Sequence, residues 1–331
     1  MIISASRRTD IPAFFSEWFL KRLEEEYVYV RNPFNSKLIS KISLMPEVID
    51  GIVFWTKNAV PMLPKLNRLG TFPFYFHWTV NPYGKDIEPH IPSKNDILIP
   101  GFKKMSNRLG NDRVIWRYNP IVFTNKYTAA YHLYYFEKLA KRLSGYTRRC
   151  IVSFLDYYED TRQNMRGLGL TDKTDTEKID LIHKFADIAQ KYHIDLEICT
   201  DRQKPEGVKM ACCIDKTIFE RIQGYPITLG KDPGQRPECR CMESIDIGMY
   251  DTCGNGCLYC YANHSKRKLL YHQKHHHPES PLIIGDVEAD DIIKERIVSS
   301  DKDYQMRFFR LAFLSFDGYK LTAELRAQTL E

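Results

Sequence analysis

Apolar residues along this chain fall into two alternating rhythms. Short runs rich in β-branched and aromatic residues predict strands at Ile2–Ser6, Gly51–Thr56, Phe74–Val80, Arg113–Tyr118, Cys150–Leu155, Asp195–Cys199 and Ser244–Tyr250. Between them, apolar positions three and four apart predict amphipathic helices. Residues 128–144 carry Leu133, Phe136, Ala140 and Leu143 on one face and stop at Gly145, a residue suited to a helix C-terminus. Residues 175–192 carry Ile182, Phe185, Ala189 and Tyr192 on one face, behind a Thr174/Glu177 capping pair. A further helix is predicted over 13–26, through Trp18, Phe19 and Leu23.

Strands separated by helices imply parallel pairing and an α/β architecture. Seven such strands favour a TIM-like β/α barrel, complete or partial, over an open sheet. Polar residues follow each strand: Arg7 and Arg8, Lys57 and Asn58, Asn81, Asn119, Asp156, and Thr200 with Asp201. In β/α barrels that end of the strands builds the active site. Residues 1–263 therefore read as the barrel, with an irregular cysteine-rich segment over 199–243 and a cysteine loop at 250–263. Residues 264–331 read as a His-rich loop followed by a helical extension, with a surface helix in "DVEADDIIKERIVSS".

Composition narrows the class. The chain has 331 residues, 13% of them aromatic, and a net charge of +6. That charge tolerates a phosphate-bearing partner without demanding one. No apolar run is long enough to span a membrane, and "MIISASRRTD" reads as the start of a strand rather than a secretory segment. Nine cysteines, an odd number, argue against a disulfide framework and for a reducing, cytoplasmic setting with some cysteines as metal ligands. One of them, Cys150, stands apart and reads as core, whereas the other eight lie between 199 and 260.

The densest chemistry is "YDTCGNGCLYCYAN", residues 250–263, where Cys253, Cys257 and Cys260 stand within eight residues. Iron–sulfur cubanes are usually held by one thiolate per iron, so three cysteines leave one iron open. Gly254 and Gly256 permit backbone to wrap around a cluster. Zinc ribbons use paired Cys-x-x-Cys units, so this spacing favours iron–sulfur over zinc.

Cys253-x-x-x-Cys257-x-x-Cys260 resembles the signature of radical S-adenosylmethionine (SAM) enzymes. The resemblance implies a 4Fe–4S cluster whose open iron chelates SAM, Tyr259 near the adenine, and cleavage of SAM to a 5′-deoxyadenosyl radical. It also implies an electron donor such as a flavodoxin or ferredoxin. In that superfamily the motif follows the first barrel strand, so its place here implies a circular permutation in which Ser244–Tyr250 is the first strand and Ile2–Ser6 the second. "VFWTKNAVPML" and "FHWTVN" are similar to the third and fourth strands of spore photoproduct lyase-like members, and Ser6, Arg7 and Arg8 stand where a Gly-Gly-Glu is usual. Nearly the whole chain is also similar to a family known only as a domain of unknown function, through "SASRRTDIP", "VFWTKN", "VIWRYNPI" and "SIDIGMYDTC". That likeness implies a second 4Fe–4S cluster on Cys199, Cys213, Cys239 and Cys241, with Cys212 as a neighbour; zinc or no metal there is the alternative.

Other polar residues fall at strand ends. Arg7, Arg8 and Asp10 are catalytic candidates, and Ser6, Lys57, Asn58 and Asn119 are candidate cofactor contacts. Arg117 lies mid-strand, where it needs a partner, either a carboxylate of SAM or substrate or an ion pair to Asp156 or Glu197. Glu197 is expected to support a cluster or close a salt bridge, and His77 and His132 are expected to pack. The substrate is open; for nucleic acid, Arg7, Arg8, Arg117, Arg148 and Arg149 are the phosphate candidates.

Overall fold

The computed structural model describes residues 1–199 and 205–304, so the expectations placed on Thr200, Asp201 and the chain after Tyr304 lie outside the described residues. The described strands are β1 (Ile2–Ala5), β2 (Tyr27–Arg31), β3 (Leu38–Ser43), β4 (Gly51–Thr56), β5 (Phe74–Thr79), β6 (Val114–Ile121), β7 (Arg149–Phe154), β8 (Asp195–Ile198), β9 (Lys209–Met210), β10 (Ile245–Asp246) and β11 (Ile292–Arg296). Eight of them form one parallel sheet in the order β10-β1-β4-β5-β6-β7-β8-β9. The last strand of the barrel region thus pairs with the first, Ile3 against Ile245 and Ser4 against Asp246. Both edge strands are only two residues long, and no ladder joins β10 to β9 among the described residues.

Alternation along the strands sorts two cores. On one face Ile3, Phe54, Phe76, Trp116 and Val152 pack with helix residues such as Trp18, Phe102, Phe136 and Phe185. The helices follow their capping chemistry. Thr174 and Glu177 close the capping box of Asp175–Lys191, and Thr128 accepts from Tyr131 N at the start of Ala129–Leu143. The predicted helix over 13–26 is divided: Asp10 caps a first turn, Ile11–Phe14, and Ser16–Glu24 continues after Phe15.

The other face is filled from the cysteine-rich segment. Ile2, Val53, Tyr75, Ile115 and Ile151 pack against Ala211, Ile214, Ile218, Phe219 and Ile227. This segment is less irregular than its composition predicts. Asp215 accepts from Thr217 N to start the helix Lys216–Gln223, and Gly224 ends it at φ 74°. The Phe219 ring lies over Gly51, where any β-carbon would collide with it.

A second departure is "DVEADDIIKERIVSS", where β11 pairs parallel with β3 in place of the predicted helix. Two local interactions outweigh helix propensity. The backbone of β3 offers an open edge on the side away from β2, and the acidic run meets basic partners. Asp291 binds Arg31 at 2.5 Å, and Glu288 and Asp290 bind Lys37 at 2.6 and 2.8 Å. Among the described residues no helix is long and apolar enough to cross a membrane.

Phe219→Ala removes the ring that fills the inner face and leaves a cavity over Gly51. It is expected to cost about 3–5 kcal/mol, read as a lowered midpoint in anaerobic denaturant unfolding. An unchanged midpoint contradicts this packing.

Candidate functional site

Side chains and loops at the C-terminal ends of the sheet strands surround one cavity of about 600 Å³. At its first corner, β1 runs into Ser6, Arg7 and Arg8 beside Asp246 on β10. Ser4 and Ser6 donate to the Asp246 carboxylate at 3.0 and 2.6 Å, and Arg7 N donates at 2.7 Å. The Arg8 guanidinium donates to the same carboxylate at 3.0 Å and to the Asp246 carbonyl at 2.8 Å. Arg8 is thus anchored, while Arg7 lies over the Trp55 ring, 5.6 Å from its centroid.

The cysteine loop forms the second wall. Cys253, Cys257 and Cys260 all line the cavity and are reduced. Gly256 takes φ +68° and packs on His90, whereas Gly254 keeps ordinary backbone geometry and abuts the Phe14 ring. Asn255 donates to Asp10 at 2.9 Å, and Asp10 also accepts from Lys57 N at 2.8 Å and Ala13 N at 3.1 Å. Burial raises the Asp10 carboxyl despite these bonds. So many fixed partners make Asp10 a brace between β1, β4 and the cysteine loop.

Charge on this wall is arranged around Glu88. It accepts from Lys57 at 2.9 Å, lies 3.0 Å from Lys94, and takes the Tyr259 hydroxyl hydrogen bond. Burial alone would raise its carboxyl; the two ammonium groups more than offset this and hold it below the ordinary value. Lys57 lies 5.2 Å over the Tyr259 ring, and although burial opposes its charge, Glu88 and Cys257 keep its pKa raised. Burial pushes all three thiols up, Cys257 to about 12. Thiolates here need a strong local positive charge.

The third wall carries the remaining cysteines. Cys213 Sγ lies 3.5 Å from Cys199 Sγ, and Cys241 N donates to Cys239 Sγ at 3.5 Å. Arg117 Nη1 donates to Cys213 Sγ at 3.2 Å. The neighbouring thiols and this guanidinium lower Cys213, and Cys239 falls to about 6 through Cys241. Among the described residues no three His, Cys, Asp or Glu side chains converge on a point suited to a single metal ion.

Every catalytic, cofactor-contact and cluster-ligand candidate expected from sequence lines this cavity except Asn58. That side chain instead accepts from Val60 N at 3.2 Å at the start of the turn after β4. Asn119 is engaged with Ser153, and its N–H donates to Asn81. The expected ion pairs of Arg117 are absent because their carboxylates are taken: Asp156 binds Arg236 and Glu197 binds Arg149, both at 2.7 Å. Glu197 therefore closes a salt bridge. Neither Arg148 nor Arg149 reaches the cavity; Arg149 is held by Glu197 and Asp215, and Arg148 donates to Asn111. Cys150 and His132 are core residues, His132 bonded to Tyr118 and to the Val122 carbonyl. Cys212 lies outside the cavity, against the Ile214 and Arg240 carbonyls.

Sequence reasoning missed Asp246, Glu88 and Trp55, and assigned His77 to packing although it lines the cavity. Asp246 carried a usable signal, a carboxylate inside the apolar run "SIDIGMY". Glu88 carried none.

The lowered Glu88 carboxyl has a consequence for acid stability. A carboxyl held below its ordinary value, 4.5 for Glu88, contributes stability that is full above that value and is lost as pH falls through the lowered one. Glu88→Gln removes the buried carboxylate shared by two half-buried cations and is expected to cost about 3 kcal/mol at neutral pH. It also flattens the acid limb of stability. Denaturant midpoints from about pH 7 to about pH 3 test this; parallel acid limbs in the two proteins contradict it.

No curated protein matches the chain. Its relationship is shown instead by a family profile that covers residues 2–262, from the first strand to just past the third cysteine of the loop. The chain belongs to that family, described as a domain of unknown function, DUF1848.

Proposed function

We propose that this protein is a radical SAM enzyme on a permuted, partial β/α barrel, with Cys253, Cys257 and Cys260 holding a 4Fe–4S cluster. One observation carries this reading: a single short loop delivers three cysteines, Cys257 buried and Cys253 and Cys260 half-buried, and no fourth, to a cavity large enough for a cofactor and a ligand. The donor set fits the group. A cubane spreads its thiolates over separate corners, so they need not converge on one point as around a single ion. When bound, the cluster with SAM on its open iron would supply the electron that cleaves the sulfonium and yields a 5′-deoxyadenosyl radical for hydrogen abstraction.

The chain's own residues have distinct roles in this reading. Lys57 offsets thiolate charge at Cys257, and Glu88 fixes Lys57 and Tyr259 in place. Asp10 and Asn255 hold the loop against β1 and β4. Tyr259, Ser6, Lys57 and Asn119 are the proposed SAM contacts, and Arg7 and Arg117 face the substrate volume. Cys199, Cys213, Cys239 and Cys241 are the proposed ligands of a second 4Fe–4S cluster, with Arg117 beside Cys213 as its counter-charge. A one-electron donor of the flavodoxin or ferredoxin class is the implied partner.

Anaerobic reconstitution tests the reading. The wild-type chain is expected to hold about eight irons and to release 5′-deoxyadenosine when dithionite and SAM are added. Cys253→Ala, Cys257→Ala and Cys260→Ala are each expected to lose about four irons and all 5′-deoxyadenosine. Zinc in place of iron, or full iron without SAM cleavage, contradicts the proposal.

A further inference from the structure

The half of the cavity next to Cys213 contains polar atoms that the protein leaves unanswered. Trp55 and His77 are cross-strand neighbours on β4 and β5, with rings stacked at 4.4 Å and 20°. His77 Nε2 lies 2.6 Å from the Cys213 carbonyl, and a carbonyl only accepts, so this nitrogen carries the hydrogen. Nδ1 is then a bare lone pair. The side chain is 0% exposed, and Nδ1 has no partner.

Arg7, which lines the same cavity, carries in Nη2 a second buried atom without a partner. Arg8 takes the Asp246 carboxylate, Lys57 that of Glu88 and Arg236 that of Asp156. Arg7 and Arg117 are thus left without a carboxylate among the described residues, both over the same Trp55 ring at 5.6 and 5.2 Å. Arg117 donates to the Cys213 sulfur, whereas Arg7, though its charge acts on Cys239, leaves Nη2 without a hydrogen-bond partner.

We infer that this half of the cavity binds a small anion, a carboxylate or phosphate that also bears an O–H or N–H donor. The anionic oxygens meet Arg7, and the donor meets His77 Nδ1 beside Trp55. A cation and a bare lone pair lining one cavity are complementary to that combination and to neither an apolar nor a purely cationic ligand. The cavity of about 600 Å³ is shared with the cysteine sets, so the ligand is small. The ligand's role as substrate rests on the proposed function; its binding does not.

Anaerobic calorimetry on the iron-loaded full chain tests the inference, with glycolate and inorganic phosphate as probes and uncharged glycolamide as control. Saturable binding of glycolate or of phosphate is expected, and whichever binds identifies the anion class. Binding is expected to persist with SAM present, to weaken at least tenfold in Arg7→Gln and in His77→Phe, and to be partly restored in Arg7→Lys. No saturable heat with either probe, equal binding of glycolamide, displacement by SAM, or unchanged affinity in Arg7→Gln overturns it. A chain that binds a probe without cleaving SAM keeps this inference and removes the radical reading. A chain that cleaves SAM but binds neither probe removes this inference alone.

Discussion

The Asp246 carboxylate is the constraint on which the site depends. It joins β10 to the end of β1 across 238 residues of chain, binding the Arg8 guanidinium, two serine hydroxyls and a backbone amide. The strand that leads into the cysteine loop is only two residues long, too short for its ladder to define a position. Fixed polar contacts therefore take over. Gly248 belongs to the same device, because a β-carbon there would drive into Ser6. Asp10 repeats the logic one layer out, tying the loop through Asn255 to β4 through Lys57 N.

Beyond that anchor, the cavity is organised by the electrostatics of buried sulfur. Burial opposes thiolate formation, so each cysteine set comes with its own cation. Lys57 serves the loop set, itself held by Glu88, and Arg117 serves the set around Cys213. The two arrangements differ in kind. The loop thiols stay high, with no sulfur bonded to another, whereas Cys213 and Cys239 are lowered through contacts with neighbouring thiols. Arg7, Trp55 and His77 line the same cavity as both cysteine sets.

The fold was legible in sequence wherever side chains speak for themselves. Aromatic runs such as "FYFHWT" mark buried parallel strands, and Thr174 with Glu177 marks a helix start. Legibility failed where the outcome depends on distant partners. Ile292–Arg296 pairs with β3 because Arg31 and Lys37 wait for its acidic flank. Asn58 resembles a site residue by position but is used by the next turn. The gathering of the cysteines at one cavity was readable from their spacing, since a local motif carries its own signal. Glu88 and the bare nitrogen of His77 were not, because each takes its meaning from groups dozens to hundreds of residues away.

The central claim is that a 4Fe–4S cluster held by Cys253, Cys257 and Cys260 takes a small-molecule ligand on its fourth iron in place of a fourth side chain. Electron paramagnetic resonance of the dithionite-reduced protein, with SAM carrying nitrogen-15 in its amino group, tests it directly. The account predicts a changed cluster spectrum on adding SAM and a resolved coupling to the labelled nitrogen. An unchanged spectrum without that coupling would contradict it.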